Sequence, residues 1–211
     1  MNSTVAAIPG KRERTRVALI EAAIDVLAEK GLEGASIDDL VRVAGMARGT
    51  FYNYFQTREE VICAVSEHIR ERIHEGVVSR VPADVCSEVI VACITYGFIK
   101  YGLEHPKIGW ALVRIGGGRH WVSGNKFECA DDALQEVLGE DMLLPAGLTY
   151  VEGVGLMILR RLLEGRITKP EVEQILAMMF RGLGVHAAKV KSVMNSAKNF
   201  VQTTMDNTPT D

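Results

Sequence analysis

A chain of 211 residues with 47% apolar and 24% charged residues can bury a sizeable core, as one large domain or two small ones. Its formal charge of −3 excludes a protein that coats nucleic acid through overall basicity, so any contact with DNA must be local. Four cysteines, Cys63, Cys86, Cys93 and Cys129, form no C-x-x-C pair and follow no signal peptide, which suits a reducing cytoplasm better than a disulfide framework.

Residues 1–10 are small, polar or helix-breaking and read as a flexible arm. The run Lys11, Arg12, Glu13, Arg14, Arg16 sets four bases against one acid; such runs are usually solvated faces, but this one suits contact with a phosphate backbone or minor groove. Val17, Ile20, Ile24 and Leu27 recur at three and four residues, predicting a first helix from about Lys11 to Lys30, with Gly31 as its stop. The segment 11–56 then continues as a helix-turn-helix. Ser36 stands three residues before Asp39, a capping-box spacing. Leu40, Val41 and Ala44 give the next helix its apolar stripe, and Gly45 ends it in a left-handed turn. A third helix is predicted over Met46–Phe55, with Phe51 and Phe55 facing inward. Arg48, Thr50, Tyr52 and Asn53 occupy its other surface, and Gly49 leaves room for backbone to approach closely, whether the first helix or a phosphate. From Arg42 to Arg58 there are three arginines and no acid, a local charge suited to a DNA groove: Arg and Asn can read base edges, and Tyr and Thr can hold phosphate oxygens.

These residues resemble the signature of the TetR family of bacterial transcriptional regulators. It is carried by Gly34-Ala35-Ser36-Ile37, by the run from Leu40 through Ala44-Gly45-Met46-Ala47-Arg48-Gly49-Thr50-Phe51-Tyr52-Asn53-Tyr54-Phe55, and by Thr57-Arg58-Glu59-Glu60-Val61, and it covers about the first third of the chain. Three positions depart from it: Ala47 replaces a small hydroxyl residue, Val41 replaces Ala, and Asp38 is acidic where some relatives contact bases. The resemblance implies an all-α protein, not an enzyme, with a three-helix head and a larger helical domain for ligand binding and dimerisation. It implies a homodimeric repressor that binds a pseudopalindromic double-stranded DNA operator and is released by a small-molecule effector. The DNA-facing set is Ser36, Ala47, Arg48, Gly49, Thr50, Tyr52, Asn53, Tyr54 and Arg58.

Residues 57–80 form a connecting helix, opened by Thr57 capping toward Glu60, with Val61, Val65, Ile69 and Ile73 on one stripe. Arg58 at its amino terminus could help hold a phosphate. Val81-Pro82 marks the start of the second domain, 81–194. Its first helix, Ala83–Leu103, is apolar almost all round but interrupted by Thr95 and Lys100, so it reads as a buried central helix and not a membrane span. Shorter helices follow over Lys107–Ile115 and Phe127–Gly139.

The helices over Pro145–Leu163 and Thr168–Leu183 show little polar face over their apolar portions, which points to a homodimeric four-helix bundle through Val151, Val154, Ile158, Ile175, Met179 and Leu183. The alternative is that one subunit buries both. Gly153, Gly155, Gly182 and Gly184 suggest close backbone crossings there. Residues 195–211 are polar and read as a flexible tail.

No H-E-x-x-H, nucleophile elbow or P-loop is present, and the triple Gly at 116–118 lacks a preceding strand, so neither catalysis, a metal nor a cofactor is expected. Aromatics concentrate in the middle of the second domain, Phe98 among them. Tyr96, Tyr101, Trp110, Arg114, His120 and Trp121 are the candidates for a ligand pocket, with ordinary core as the plainer alternative. Two other functions are open: a redox-responsive regulator switched through Cys86 or Cys93, and a constitutive DNA-binding protein without an effector.

Overall fold

The structure, a computed structural model, describes residues 10–76, 78–81, 84–116 and 128–205, which form ten α-helices and no strand. The expected arm through residue 9, and the candidates His120 and Trp121, lie outside the described residues.

α1 spans Lys11–Gly34, but its helical dihedrals break at Gly31 (φ 73°), where the sequence places the stop. α2 (Ile37–Val43) is capped as expected: the Asp39 amide donates to Ser36 Oγ at 3.1 Å, and the Ser36 amide reaches the Asp39 carboxylate. Gly45 (φ 64°) ends it, with the Met46 amide donating back to the Val41 carbonyl at 2.9 Å. α3 (Arg48–Tyr52) is shorter than the stretch predicted for it. Phe51 and Phe55 are buried against Leu19, Ile20, Ile24 and Leu40, so the aromatic pair glues the head together.

α4 (Arg58–Gly76) opens with the Glu60 amide on Thr57 Oγ1 at 3.1 Å and passes into a 3₁₀ turn over Val78–Arg80. α5 (Ser87–Glu104), α6 (Pro106–Ile115), α7 (Glu128–Leu138), α8 (Leu144–Leu163), α9 (Lys169–Gly182) and α10 (Ala187–Met205) complete the body. The Thr168 amide and hydroxyl both donate to Glu171, closing the capping box of α9.

Two cores organise these elements. One joins the head to α4 and then to Ile108, Leu112 and Ile115 of α6, so head and body share a continuous apolar interior along α1 and α6. The other gathers Cys93 of α5, Leu134 of α7, Ile158 of α8, Leu176 and Phe180 of α9, and Val193, Ala197 and Val201 of α10.

Two expectations are corrected here. The stretch from Asn195, read as a loose tail, is helical to Met205 and buries Ala197 and Val201 beside α5; its apolar residues are four apart and diluted by polar ones, a one-sided stripe that composition alone hides. Ile158, Met179 and Leu183 are at most 2% exposed, consumed by the second core of their own subunit, and have no surface to offer a partner. Val151, Val154 and Ile175 are half-buried against the same core.

Of the four glycines expected at close crossings, Gly182 does meet a near neighbour, since a Cβ there would lie 2.8 Å from the Tyr150 hydroxyl of α8. A Cβ on Gly153 would meet nothing, and Gly184 (φ 95°) ends α9 in a left-handed turn. Backbone meets backbone between α5 and α6, where a Cβ on Gly109 would press into the Gly102 carbonyl oxygen, and one on Gly102 would lie 2.7 Å from Leu159. Backbone cannot step aside as a flexible side chain does. Gly109→Ala should therefore lower unfolding free energy by about 1–3 kcal/mol in a denaturant titration, despite Ala's better helix propensity.

Candidate nucleic-acid interface and interior cavity

The outer face of α3 is built by what its inner face buries. With Phe51 held at 0% exposure, the helical period turns Arg48, Gly49, Tyr52 and Asn53 outward and leaves Thr50 and Tyr54 half-buried. Tyr54 packs against the head's core, so its ring supports the face more than it forms it. Gly49 faces open space: a Cβ there would meet nothing within 4 Å, so of the two approaches anticipated for it α1 is not one. Ala47 is the N-cap of α3 and makes no side-chain cap, so the first amides of α3 receive no side-chain acceptor from it. Ser36, although exposed, is engaged in the α2 cap through Asp39.

Arg48 is the central charge of this face. Its Nη2 donates to the Tyr52 hydroxyl at 3.4 Å, its Nη1 donates to Asp38 at 2.7 Å, and its guanidinium lies 5.9 Å from the Tyr52 ring centroid. The Tyr52 hydroxyl, and then the Asp38 carboxylate, hold Arg48 above its ordinary pKa. Both partners of the ion pair are more than half exposed, so it is weak and exchangeable for a phosphate or a base edge.

Arg58 is different. Its Nη1 donates to the carbonyls of Leu32 at 3.2 Å and Ala35 at 3.3 Å, and its Nε donates to Glu59. It ties the end of α1 to the start of α4, so these donors are spent within the head. Sequence shows a cation at a helix start but not the orphan carbonyls that will claim it.

The body holds a cavity of about 320 Å³ between α4, α5, α7 and α8. Ile73, Val91, Ile94, Phe98, Leu134, Leu148 and Leu156 make it apolar, and Arg70, Thr95, Asp131, Thr149 and Glu152 add polar groups. None of the described aromatic and basic candidates Tyr96, Tyr101, Trp110 and Arg114 lines it. Tyr96 falls on another face of α5 and donates to Glu173 at 3.2 Å. Tyr101 is buried on the head side beside His105. Arg114 lies over Trp110 with its guanidinium 5.2 Å from the ring centroid and donates to the carbonyls of Leu27 and Ala28 in α1. Phe98, one of the aromatics that marked this region, does reach the cavity, because Val91, Ile94, Thr95 and Phe98 share one helical stripe.

Cys93 is fully buried, and burial pushes its thiol up to about 11. Cys86, exposed at the N-cap of α5, lies seven residues away along that helix, about 10 Å of rise and beyond disulfide reach without unwinding it. The geometry disfavours a redox switch between them.

Among the described residues no helix is long and apolar enough to cross a membrane, and no cluster of three or more metal-ligating side chains occurs.

Residues 19–65 match the family model described as bacterial regulatory proteins of the tetR family. An uncharacterized helix-turn-helix regulator of Bacillus subtilis, YvdT, is 40% identical over 75 residues, 36% of this chain and 37% of that protein. A helix-turn-helix transcriptional repressor of Mycobacterium tuberculosis is 28% identical over 83 residues, covering 39% and 44% of the two chains. The match thus spans less than half the length of either relative. Across most of the chain the fold is similar to that of RolR in complex with resorcinol, with a TM-score of 0.59, 24% identity, and 87% of this chain and 94% of that one covered. The relatives matched over the head are transcriptional regulators and not enzymes.

The Ser36–Asp39 cap has a pH signature. Lys30 at 2.6 Å, then Ser36 and Arg42, hold the Asp39 carboxyl well below its ordinary value of 3.8. Because the folded value is the lower one, the stabilisation is complete above that ordinary value and is lost as pH falls toward the folded one. Thermal unfolding of wild type and Asp39→Asn should show a gap that is constant at neutral pH and narrows progressively below pH 3.8.

Proposed function

We propose, from a chain whose amino-terminal head belongs to the TetR family of bacterial regulators, that the protein is a homodimeric transcriptional repressor released from its operator by a small molecule. Each subunit would lay α3 in a major groove, and the dimer would read two half-sites of a pseudopalindrome. The observation that carries this reading is the outer face of α3: a guanidinium, a phenol, an amide and an open glycine, held outward by a buried Phe51. The cytoplasm, where the operator is, is the compartment this implies.

The cavity supports the effector half of the reading. It touches Arg70 and Ile73 of α4, the helix that begins at the head, so an occupant with unequal affinity for two positions of α4 would shift the spacing of two heads. That RolR, similar in fold, holds resorcinol supports an occupant of small size.

For the dimer, the surface that replaces the predicted one is Tyr150 and Met157 on α8, two turns apart on one face, with Met178 on α9; they are 42%, 50% and 66% exposed. The double variant Met157→Glu, Met178→Glu should sediment as a monomer with unaltered helical content. A dimer that survives both charges would place the interface elsewhere.

DNA binding is tested with duplexes selected from a random pool and then titrated by fluorescence anisotropy. Arg48→Ala should lower affinity for the selected site by about 1–3 kcal/mol and relax preference at one position, whereas Tyr52→Phe should weaken all sequences evenly. Unaltered binding in both would sink the assignment of α3.

A further inference from the structure

Arg70 is the one charged residue among the described residues that the fold takes almost wholly out of water, at 9% exposure. Arg48, Arg58, Arg72, Arg114 and Arg160 each have an acid or a carbonyl as partner. Arg70 makes no hydrogen bond or ion pair among the described residues, and its side chain lines the cavity beside Ile73, Val91 and Phe98. A guanidinium set among apolar side chains with no acid in contact among the described residues is poorly compensated; the other buried side chains on this face of α4 are Ile69, Ile73 and Ser66, whose hydroxyl is spent on the Ile62 carbonyl. An anion in the cavity would answer that charge with charge-assisted hydrogen bonds that solvent alone does not supply.

We infer that the occupant of the cavity is an amphipathic monoanion, a carboxylate or a compound of the same charge and shape, whose anionic group is held by Arg70 while its apolar body fills the space between α5, α7 and α8. The inference rests on the reading of the cavity as the effector site and deepens it. A planar guanidinium presents paired N–H donors that match the two oxygens of such a group, a match an alcohol or an amine cannot make. The opening selects further. Glu152 is exposed and Asp131 half-buried, and both have interactions of their own, so they add negative charge at the rim and disfavour a second anionic group there. The hydroxyls of Thr95 and Thr149 already donate to the carbonyls of Val91 and Pro145, which leaves them as acceptors for a hydroxyl on the occupant.

Two fluorescent probes with one ring framework isolate the charge: 1-anilinonaphthalene-8-sulfonate and the uncharged N-phenyl-1-naphthylamine, each titrated into the full-length protein. Wild type should bind the sulfonate at least tenfold more tightly than the amine. Arg70→Met should lose that preference by weakening the sulfonate alone, and Arg70→Lys should restore part of it. Equal affinity of wild type for both probes, or a Met variant that weakens both alike, would overturn the inference while leaving the effector reading in place. Binding of neither probe would overturn both. The wild-type comparison decides the question even if a variant fails to fold.

Discussion

The carboxyl end of α1 is the constraint on which the rest of the structure depends. A helix leaves its last carbonyls without amides, and α1 has no basic residue of its own in its last turn and is broken at Gly31. Two arginines from other elements complete it. Arg58 at the start of α4 takes the carbonyls of Leu32 and Ala35, and Arg114 at the end of α6 takes those of Leu27 and Ala28. Positive charge at that end also meets the negative pole of the helix dipole. Lys107 of α6 adds an ion pair to Asp25 one turn earlier. The head is therefore fastened to the body by polar groups that would otherwise be orphans, and the continuous apolar seam between α1 and α6 packs around those fastenings.

Given that anchor, the division of labour follows. Buried aromatics of the head leave the polar side of α3 no option but the solvent, and Arg48 waits there in an ion pair weak enough to exchange. In the body, α5 is shared: its tyrosine at 101 belongs to the head-side core, its cysteine at 93 to the far core, and Phe98 borders both and the cavity. The space between the two cores is closed on one side by α4. A single helix therefore runs from the head to the wall of the cavity.

The head was largely legible in the sequence, because its determinants are local. Capping boxes act over three residues, a left-handed glycine over one, and an aromatic pair over one turn, so Ser36, Gly45, Phe51 and Phe55 could each be placed from their neighbours alone. The body was not, because its determinants are distant in sequence. Arg58 and Arg114 carry side chains suited to a phosphate or an anionic ligand, and what claims them is a helix end 23 and 86 residues away. The apolar pair α8 and α9 looked surplus to one subunit only while α10, with its dilute stripe, was read as a tail. Arg70 drew no attention in the sequence, since charge on an amphipathic helix normally points to water. A regular stripe on Val61, Val65, Ile69 and Ile73 gave no sign that the adjoining position also turns inward.

The double clasp on α1 has a mechanical corollary. Two attachments converging on one end of a rod make that end the pivot for any rotation of it, against the apolar packing farther out and the ion pairs of Glu21 with His68 and Arg72. Helix α3 is fixed to the rod through its own buried rings, so it travels with the rod. Any rotation that kept the clasps intact would displace the outer face of α3 farther than the clasps themselves, as a door's outer edge moves farther than its hinge.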